Sequence, residues 1–580
     1  MKRLSNILAV LLLIILCTNE SKGQICPNDP PQNMFLADSP WPIYHKNNYA
    51  QSSTCYAGPK DGDSLRTVFM SKIQGGTSPW VYLTDKYENG DRALLYSNST
   101  HVFKFVDLGD EITTVDSLRI DFDPLQSFGW NFLLTKDKVW FTYDPKYNPS
   151  NNQFTKLFKL SDADTTDIFS EIVLLDTFNF GEYGINRVQH YSINYNGDIV
   201  FNSDNNTDEG YGTVGIISQD FQLLDTLQFS TTADEITNHN AFPIDENNSF
   251  YITTNKRLIK FDWNGQNLSI AWQVPYDFVG DGPVGTFAEG SGTTPTLMGW
   301  GEGNDKLVIM SDGHNQNNLV AFWREIPDDW QGIPGMNIRF AGSIQLPAAE
   351  SFSNTFQSIE NSPSVYGYDV AIAQFNGFLG YDCNNFKGVQ KIKWNTELNQ
   401  FEIDWVNNEI NMNGVLTYSK GSNTVYCSGK AEDCNYYYYG LDWETGELNF
   451  RFLLGPEGTF LDDPFYDAGN NNIIDENGNI YFAGGASLVK VEILERLTVT
   501  YEPDSEIKID LFPNPTNGLL KIDTKIDIYE ISVFSINGET LQTVNGDQSV
   551  INLSNLETGI YFVKLTSSHG ISIQKIIKGN

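Results

Sequence analysis

Short apolar runs broken by polar turns are the dominant pattern between about residues 85 and 495. The runs are too short for helices and are rich in Val, Ile, Phe and Tyr, which is the composition of strands. A polar turn, a strand, a polar gap and a second strand recur eight times. The pairs are 92–96 with 102–105, 139–143 with 156–160, 197–201 with 213–217, 249–252 with 258–262, 307–310 with 319–322, 369–373 with 389–393, 424–427 with 438–442, and 479–482 with 487–491. Their starts lie roughly 45–65 residues apart, a spacing typical of blade repeats. Turns such as Asp475-Glu476-Asn477-Gly478 reverse the chain because Asn and Gly tolerate positive φ. Each such unit buries its apolar faces only against its neighbours, so the series must close on itself. The pattern predicts an all-β chain: an approximately eight-bladed β-propeller over residues 24–498, including an N-terminal entry segment. Seven blades stay open, because long insertions blur the count. A row of separate β-sandwiches predicts linkers, and the pattern shows none between about 85 and 495.

The two ends differ from this pattern. Lys2 and Arg3 precede an apolar run from Ile7 to Leu16, followed by Ser21-Lys22-Gly23, which predicts a signal peptide over 1–23. The apolar run is too short to span a bilayer. Cys17 raises a lipoprotein reading, which the bulky Leu16 before it disfavours. At the other end, a linker over 499–507 leads to period-2 strands separated by Asn-Gly turns, predicting a small β-sandwich over 508–580.

That last segment carries Leu511-Phe512-Pro513-Asn514-Pro515, then Asn517-Gly518, Ile531-Ser532-Val533-Phe534, Ile536-Asn537-Gly538, Thr558-Gly559-Ile560-Tyr561-Phe562-Val563-Lys564-Leu565 and Lys575-Ile576-Ile577-Lys578. In order and type these resemble the C-terminal sorting domain of type IX secretion cargo, with Phe512 where Tyr is commonest. The resemblance implies export across the outer membrane of a Bacteroidetes-like cell, engagement of the type IX machinery, and either surface attachment or release.

Within the repeats, Tyr439-Gly440-Leu441-Asp442-Trp443-Glu444-Thr445-Gly446 resembles the repeat of quinoprotein-type (PQQ-like) propellers. Trp41-Pro42-Ile43-Tyr44-His45-Lys46-Asn47-Asn48 resembles the entry segment before such propellers, and the stretch from Asn240 to Arg324 resembles a group of secreted propellers of unassigned role. The quinoprotein enzymes commonly carry a disulfide between adjacent cysteines, a calcium site and a catalytic Asp. This chain has no vicinal cysteine pair and no matching acidic site. The resemblance therefore implies the scaffold, and no complete quinone or metal site is identified; the cofactor stays unknown.

Charge narrows the partners. A net charge of −36 opposes nucleic acid and anionic membranes. The 37 Phe, 28 Tyr and 12 Trp supply core and, where exposed, stacking platforms. Export makes disulfides permissible. Cys427 with Cys434, and Cys26 with Cys55, are the candidate pairs, with Cys383 left over.

Three places are candidates for chemistry. Asn238-His239-Asn240 is a polar loop before the fourth unit, and histidine is a versatile acid, base or ligand. Gly290-Ser291-Gly292-Thr293-Thr294 is a Gly-rich loop whose N–H groups suit an anion, although close packing explains its glycines as well. Asp312-Gly313-His314 ends a strand of the fifth unit, so that His314 and Asp312 with His239 form a candidate acid–base or metal constellation from adjacent units. The acids Asp462, Asp463 and Asp467 lack the spacing of a calcium loop. None of these motifs names a reaction. The composition favours a secreted or surface module binding a polysaccharide or protein; the alternative is a secreted enzyme acting on a small or carbohydrate substrate, with oxidoreduction among its chemistries.

Overall fold

The computed structural model describes residues 26–579 except 71–72, 74–79, 99–100, 120–130, 145–155, 186–187, 204–210, 232–234, 236–240, 277–289, 313–316, 348–360, 374–387, 413, 457–471, 485–486, 497–509, 525–527, 536–539, 547 and 568–569. The predicted signal peptide and linker lie outside the described residues. The chain divides into two compact units, 1–497 and 498–580.

The first unit is a chain of small antiparallel meanders. Eight sheets follow one another among the described residues: 82–119, 133–179, 188–230, 250–275, 296–345, 364–407, 417–456, and 473–495. The eight strand pairs read from the sequence are the second and third strands of these sheets. Each is preceded by an inner strand, six residues long in the third sheet (Val188–Ile193), only two or three residues long elsewhere, as at Tyr82–Leu83 or Thr296–Met298, and reduced in the fourth sheet to a single bridge from Ile244 to Phe250.

One strand was not legible in the repeat. Ser64–Met70 pairs antiparallel with Ser487–Glu495 and becomes the outer strand of the eighth sheet. The first long strand thus completes the last sheet, which closes the series. Burial shows the same closure. One apolar cluster joins the eighth, first and second sheets through residues including Val68, Leu94, Trp140 and Ile473. Further clusters join the second to the third, third to fourth, fourth to fifth, fifth to sixth, sixth to seventh and seventh to eighth. Every sheet therefore shares a buried seam with both neighbours. The fold is an all-β, propeller-like ring.

Two local features recur around it. In all eight sheets the pairing of the third strand with the outer strand slips by one residue, for example at Lys104/Phe105, Lys260/Phe261 and Lys391/Ile392. A bulge there bends the outer strand and increases its twist, which suits sheets fanned about an axis and spoils the free edge for pairing. The turns between inner and second strands carry a second device. Asn194, Asp245 and Asp475 each accept N–H bonds from the residues two and four positions on, and Gly197, Asn248 and Gly478 take the positive φ that closes the turn.

The second unit is a two-layer β-sandwich. Asp510–Phe512, Leu519–Asp523 and Val550–Asn552 form one sheet. Ile528–Phe534, Thr540–Asn545, Gly559–Ser567 and Gly570–Lys578 form the other. Leu520, Ile531, Val533, Ile551, Val563 and Ile576 fill the space between them. The Asn of Pro513-Asn514-Pro515 ties the entry to the last strand: its Nδ2 donates to Lys575 O at 2.7 Å, and its Oδ1 accepts from Ile577 N at 2.9 Å.

The cysteines correct one expectation. Cys26 and Cys55 are bonded to each other. Cys427 is a buried thiol outside any disulfide, so it does not pair with Cys434, which is disulfide-bonded elsewhere. The reason is register. Cys427 sits opposite Tyr439 in the ladder, facing the seam between the sixth and seventh sheets, while Cys434 lies beyond the strand end at the hairpin turn. At about 3.3 Å per residue the two stand farther apart than the roughly 7 Å limit on Cα atoms in a disulfide.

Candidate functional site

The centre of the ring is built by the N-terminal segment. From residue 33 to 58 the chain runs past the inner strands one after another. Asn33 Nδ2 donates to Ile193 O and Asn194 O of the third sheet, and Ser39 Oγ to Leu83 O of the first. Ala37 N donates to Leu134 O, and Leu134 N to Pro42 O, in the second. Ile244 N donates to Asn48 O, Leu297 N to Tyr49 O and Val365 N to Gln51 O, reaching the fourth, fifth and sixth sheets. Ser53–Thr54 then pairs in parallel with Thr417–Ser419 of the seventh. Arg496, just past the eighth sheet, donates to Ala57 O and Gly58 O.

A segment that must match inner strands with different orientations cannot keep one backbone conformation. His45, Lys46, Ala50 and Ser52 all have left-handed φ, at 58°, 75°, 60° and 51°. For residues with a Cβ this costs of order 1–3 kcal/mol each, held by the surrounding bonds.

His45 is the node of this centre. Its Nδ1 lies 3.0 Å from Ser52 Oγ and its Nε2 lies 3.2 Å from Thr294 Oγ1. Thr294 N in turn donates to Ser362 Oγ at 2.9 Å. The Tyr44 ring packs on His45, Trp80 and His190, and Phe242 meets His190 edge-on. His45 and His190 are both only 2% exposed. Burial pushes each imidazole down to about 3, and for His45 the nearby His190 adds to the effect. Both are neutral at any physiological pH and act as hydrogen-bonding or packing groups.

The Gly-rich loop is part of the same network. Ser291, Thr293 and Thr294 are buried before the inner strand of the fifth sheet. Ser291 N donates to Tyr276 OH, Ser311 N to Thr293 Oγ1, and Ser291 Oγ lies 3.2 Å from Thr293 Oγ1. The N–H groups of Ser291 and Thr294 are therefore occupied by protein oxygens rather than turned toward an anion. Gly290 is at φ 83°, and a side chain there would collide with the Asn255 backbone, so close packing accounts for this glycine. Asp312 is also buried; it clasps its own hairpin by accepting from Asn318 N at 3.0 Å and Asn318 Nδ2 at 2.5 Å.

Asn238, His239, Asn240 and His314 lie outside the described residues, as do Asp462, Asp463 and Asp467. The ring-centre residues that sequence reading did not single out as candidates are His45, Lys46 and His190. The signal was present in the first two: His45 to Thr54 is a polar run without alternation, enclosed between Cys26 and Cys55. Among the described residues one His/Cys/Asp/Glu group has metal-like spacing, Cys26 with Asp29 and Cys55, but those sulfurs are bonded to each other and are not thiolate ligands.

Residues 510–579 match the family of secretion system C-terminal sorting domains. The second unit is a sorting domain. The chain is a type IX-sorted protein, exported to the cell surface or secreted, and no helix among its described residues is long and apolar enough to cross a membrane. An uncharacterized protein of Archaeoglobus fulgidus is 25% identical over 457 residues, covering 74% of this chain and 83% of that one. Among solved structures, the quinohemoprotein alcohol dehydrogenase of Comamonas testosteroni is similar at 9% identity and a TM-score of 0.47, covering 82% of this chain and 83% of that one. PorZ of the type IX system of Porphyromonas gingivalis is similar at 9% identity and a TM-score of 0.32, covering 86% of this chain and 68% of that one. The periplasmic gluconolactonase of Pseudomonas aeruginosa is similar at 9% identity and a TM-score of 0.38, covering 67% of this chain and 95% of that one.

Proposed function

We propose that the ring is an extracellular binding module, delivered by its sorting domain, for a polysaccharide or protein partner. The observation that carries this reading is the passage of residues 33–58 through the ring centre, bonded to inner strands of successive sheets. The described axis is hydrogen-bonded protein, and its two imidazoles are held neutral. Recognition of a macromolecular partner then falls to the outer surface, where Phe169 and Tyr183 expose 56% and 50% of their area and offer stacking faces.

The test is an array of extracellular polysaccharides and proteins probed with the mature chain, with and without calcium. Saturable retention of an unaltered ligand is the expected result. Release of a chemically changed product would move the protein to the alternative class, a secreted enzyme on a carbohydrate or small substrate.

A further inference from the structure

Five buried or half-buried cations of the ring meet carboxylates. Lys104 Nζ meets Asp162 at 2.5 Å, Lys391 meets Asp404 at 2.9 Å and Asp369 at 3.2 Å, and Lys490 meets Asp107 at 2.6 Å. Arg257 meets Glu235 at 2.7 Å, and Arg324 faces Glu246 and Asp245. This is what physics requires, since an uncompensated buried charge is costly. Lys46 departs from the rule. It is half-buried at the ring centre, directly after His45, and no carboxylate among the described residues lies within ion-pair distance of its Nζ. Its backbone is fixed in the left-handed region with Lys46 N donating to Ile43 O at 2.9 Å.

Unmatched buried polar atoms sit on residues next in sequence to this node. Ser53, next to the Ser52 that bonds His45, buries an Oγ with no hydrogen-bond partner. Asn361, next to the Ser362 that accepts from Thr294, buries an unpartnered Nδ2. One acceptor completes the set. Asp29 keeps one carboxylate oxygen on Cys26 N at 3.0 Å, while its Oδ1 is buried and unpartnered. Asp29 is close enough to act electrostatically on Lys46 yet beyond ion-pair reach. Orphaned buried polar atoms of this kind are places where a water or a ligand can bind.

We propose that Lys46 anchors a binding site at the ring centre for a small hydroxy-carboxylate, its carboxylate on the Lys46 ammonium and a hydroxyl donating to Asp29. A plain inorganic oxyanion satisfies only the first half of this site; a neutral sugar satisfies only the second. The site lies on the same central segment that carries the outer-surface reading, but it concerns a small molecule, so a failed thermal shift leaves binding of a macromolecule on the array unaffected, and the reverse.

Thermal unfolding of the mature chain with galacturonate, tartrate, acetate, sulfate or galactose, each at 10 mM, tests it. Galacturonate or tartrate should raise Tm by about 2 °C or more, and acetate, sulfate and galactose by less. Lys46→Met should abolish the rise and, without ligand, leave Tm unchanged or higher, because it removes an unpaired charge. Asp29→Asn should erase the preference over acetate. No rise with either hydroxy acid, a rise that survives Lys46→Met, or an equal rise with sulfate overturns the proposal. A ligand-free Lys46→Met chain that loses stability also overturns it, since Lys46 would then be a structural group.

Discussion

At the seam between the first and second sheets, Leu94, Trp140 and Leu160 meet as buried apolar surface. At the ring centre, His45, Ser52, Thr294 and Ser362 meet through hydrogen bonds. The seam is one of a repeated series, each made from the same faces of successive sheets. The centre is made once, by a segment with no copy elsewhere. A repeat tolerates losses because its neighbours impose the same geometry; a unique hydrogen-bonded passage has no such reserve. The ring therefore takes its closure from repetition and its central chemistry from an exception to it.

The comparison breaks most sharply where a seam contains a charge. Lys104 and Asp162 are both fully buried between the first and second sheets, and Tyr87 OH donates to Asp162 at 2.6 Å. Burial pushes the Lys104 ammonium down and the Asp162 carboxyl up, each opposed by its partner. Lys104→Met strands the carboxylate and should cost about 3–5 kcal/mol in denaturant unfolding. Lys104→Met with Asp162→Leu should recover most of that loss, because an apolar pair restores the rule of the seam. Equal losses in the single and double variants would show that the seam depends on the ion pair itself.

Much of the first region was legible and little of the second. Val139-Trp140-Phe141 or Leu307-Val308-Ile309 announces a buried strand by composition, and eight such pairs in series require closure. Ser64–Met70 escaped because it supplies only an outer strand, whose half-exposed residues lack the apolar run of its partners. Cys427 was misassigned for a related reason: sequence distance to Cys434 says nothing of the ladder register that separates them. The polar run of the centre was visible but its burial was not, because residues such as His45, Asn48 and Ser52 look like loop in any pattern search. Their burial follows only from where the closed ring forces that segment to run. The short Pro513-Asn514-Pro515 motif was legible because the sorting domain uses it locally, to hold its own last strand.

Acid sharpens the difference between seam and centre. His45 and His190 titrate near 3 in the folded chain and near 6.5 when unfolded, so the unfolded chain binds more protons below pH 6.5. Their contribution is complete above that pH and is lost as pH falls toward 3. At pH 5.5 each should cost about 1.4 kcal/mol relative to pH 7.5. His45→Gln with His190→Gln should flatten that slope in urea unfolding, and a slope that stays unchanged would remove the two imidazoles from the centre's acid response.

The smallest expected effect lies in the turns, where copies differ by one atom type. Asp475 accepts N–H bonds from Asn477 and Asn479 at 2.9 and 2.8 Å, and burial pushes its carboxyl up to about 6. A folded pKa above the unfolded value near 3.8 means that this group's stabilisation is present at low pH and declines as pH rises through about 4 to 6. The third sheet avoids the problem by placing Asn194 at the same position and Asp198 at the end of the turn. Asp475→Asn alone would set two amide donors against each other, since Asn479 Nδ2 donates to Asp475 Oδ2 at 3.1 Å. Asp475→Asn combined with Asn479→Asp copies the third sheet's arrangement and should gain about 1 kcal/mol at pH 7 while losing the decline between pH 4 and 6. Retention of that decline in the double variant would place its source outside the turn, and so outside the repeated part of the ring.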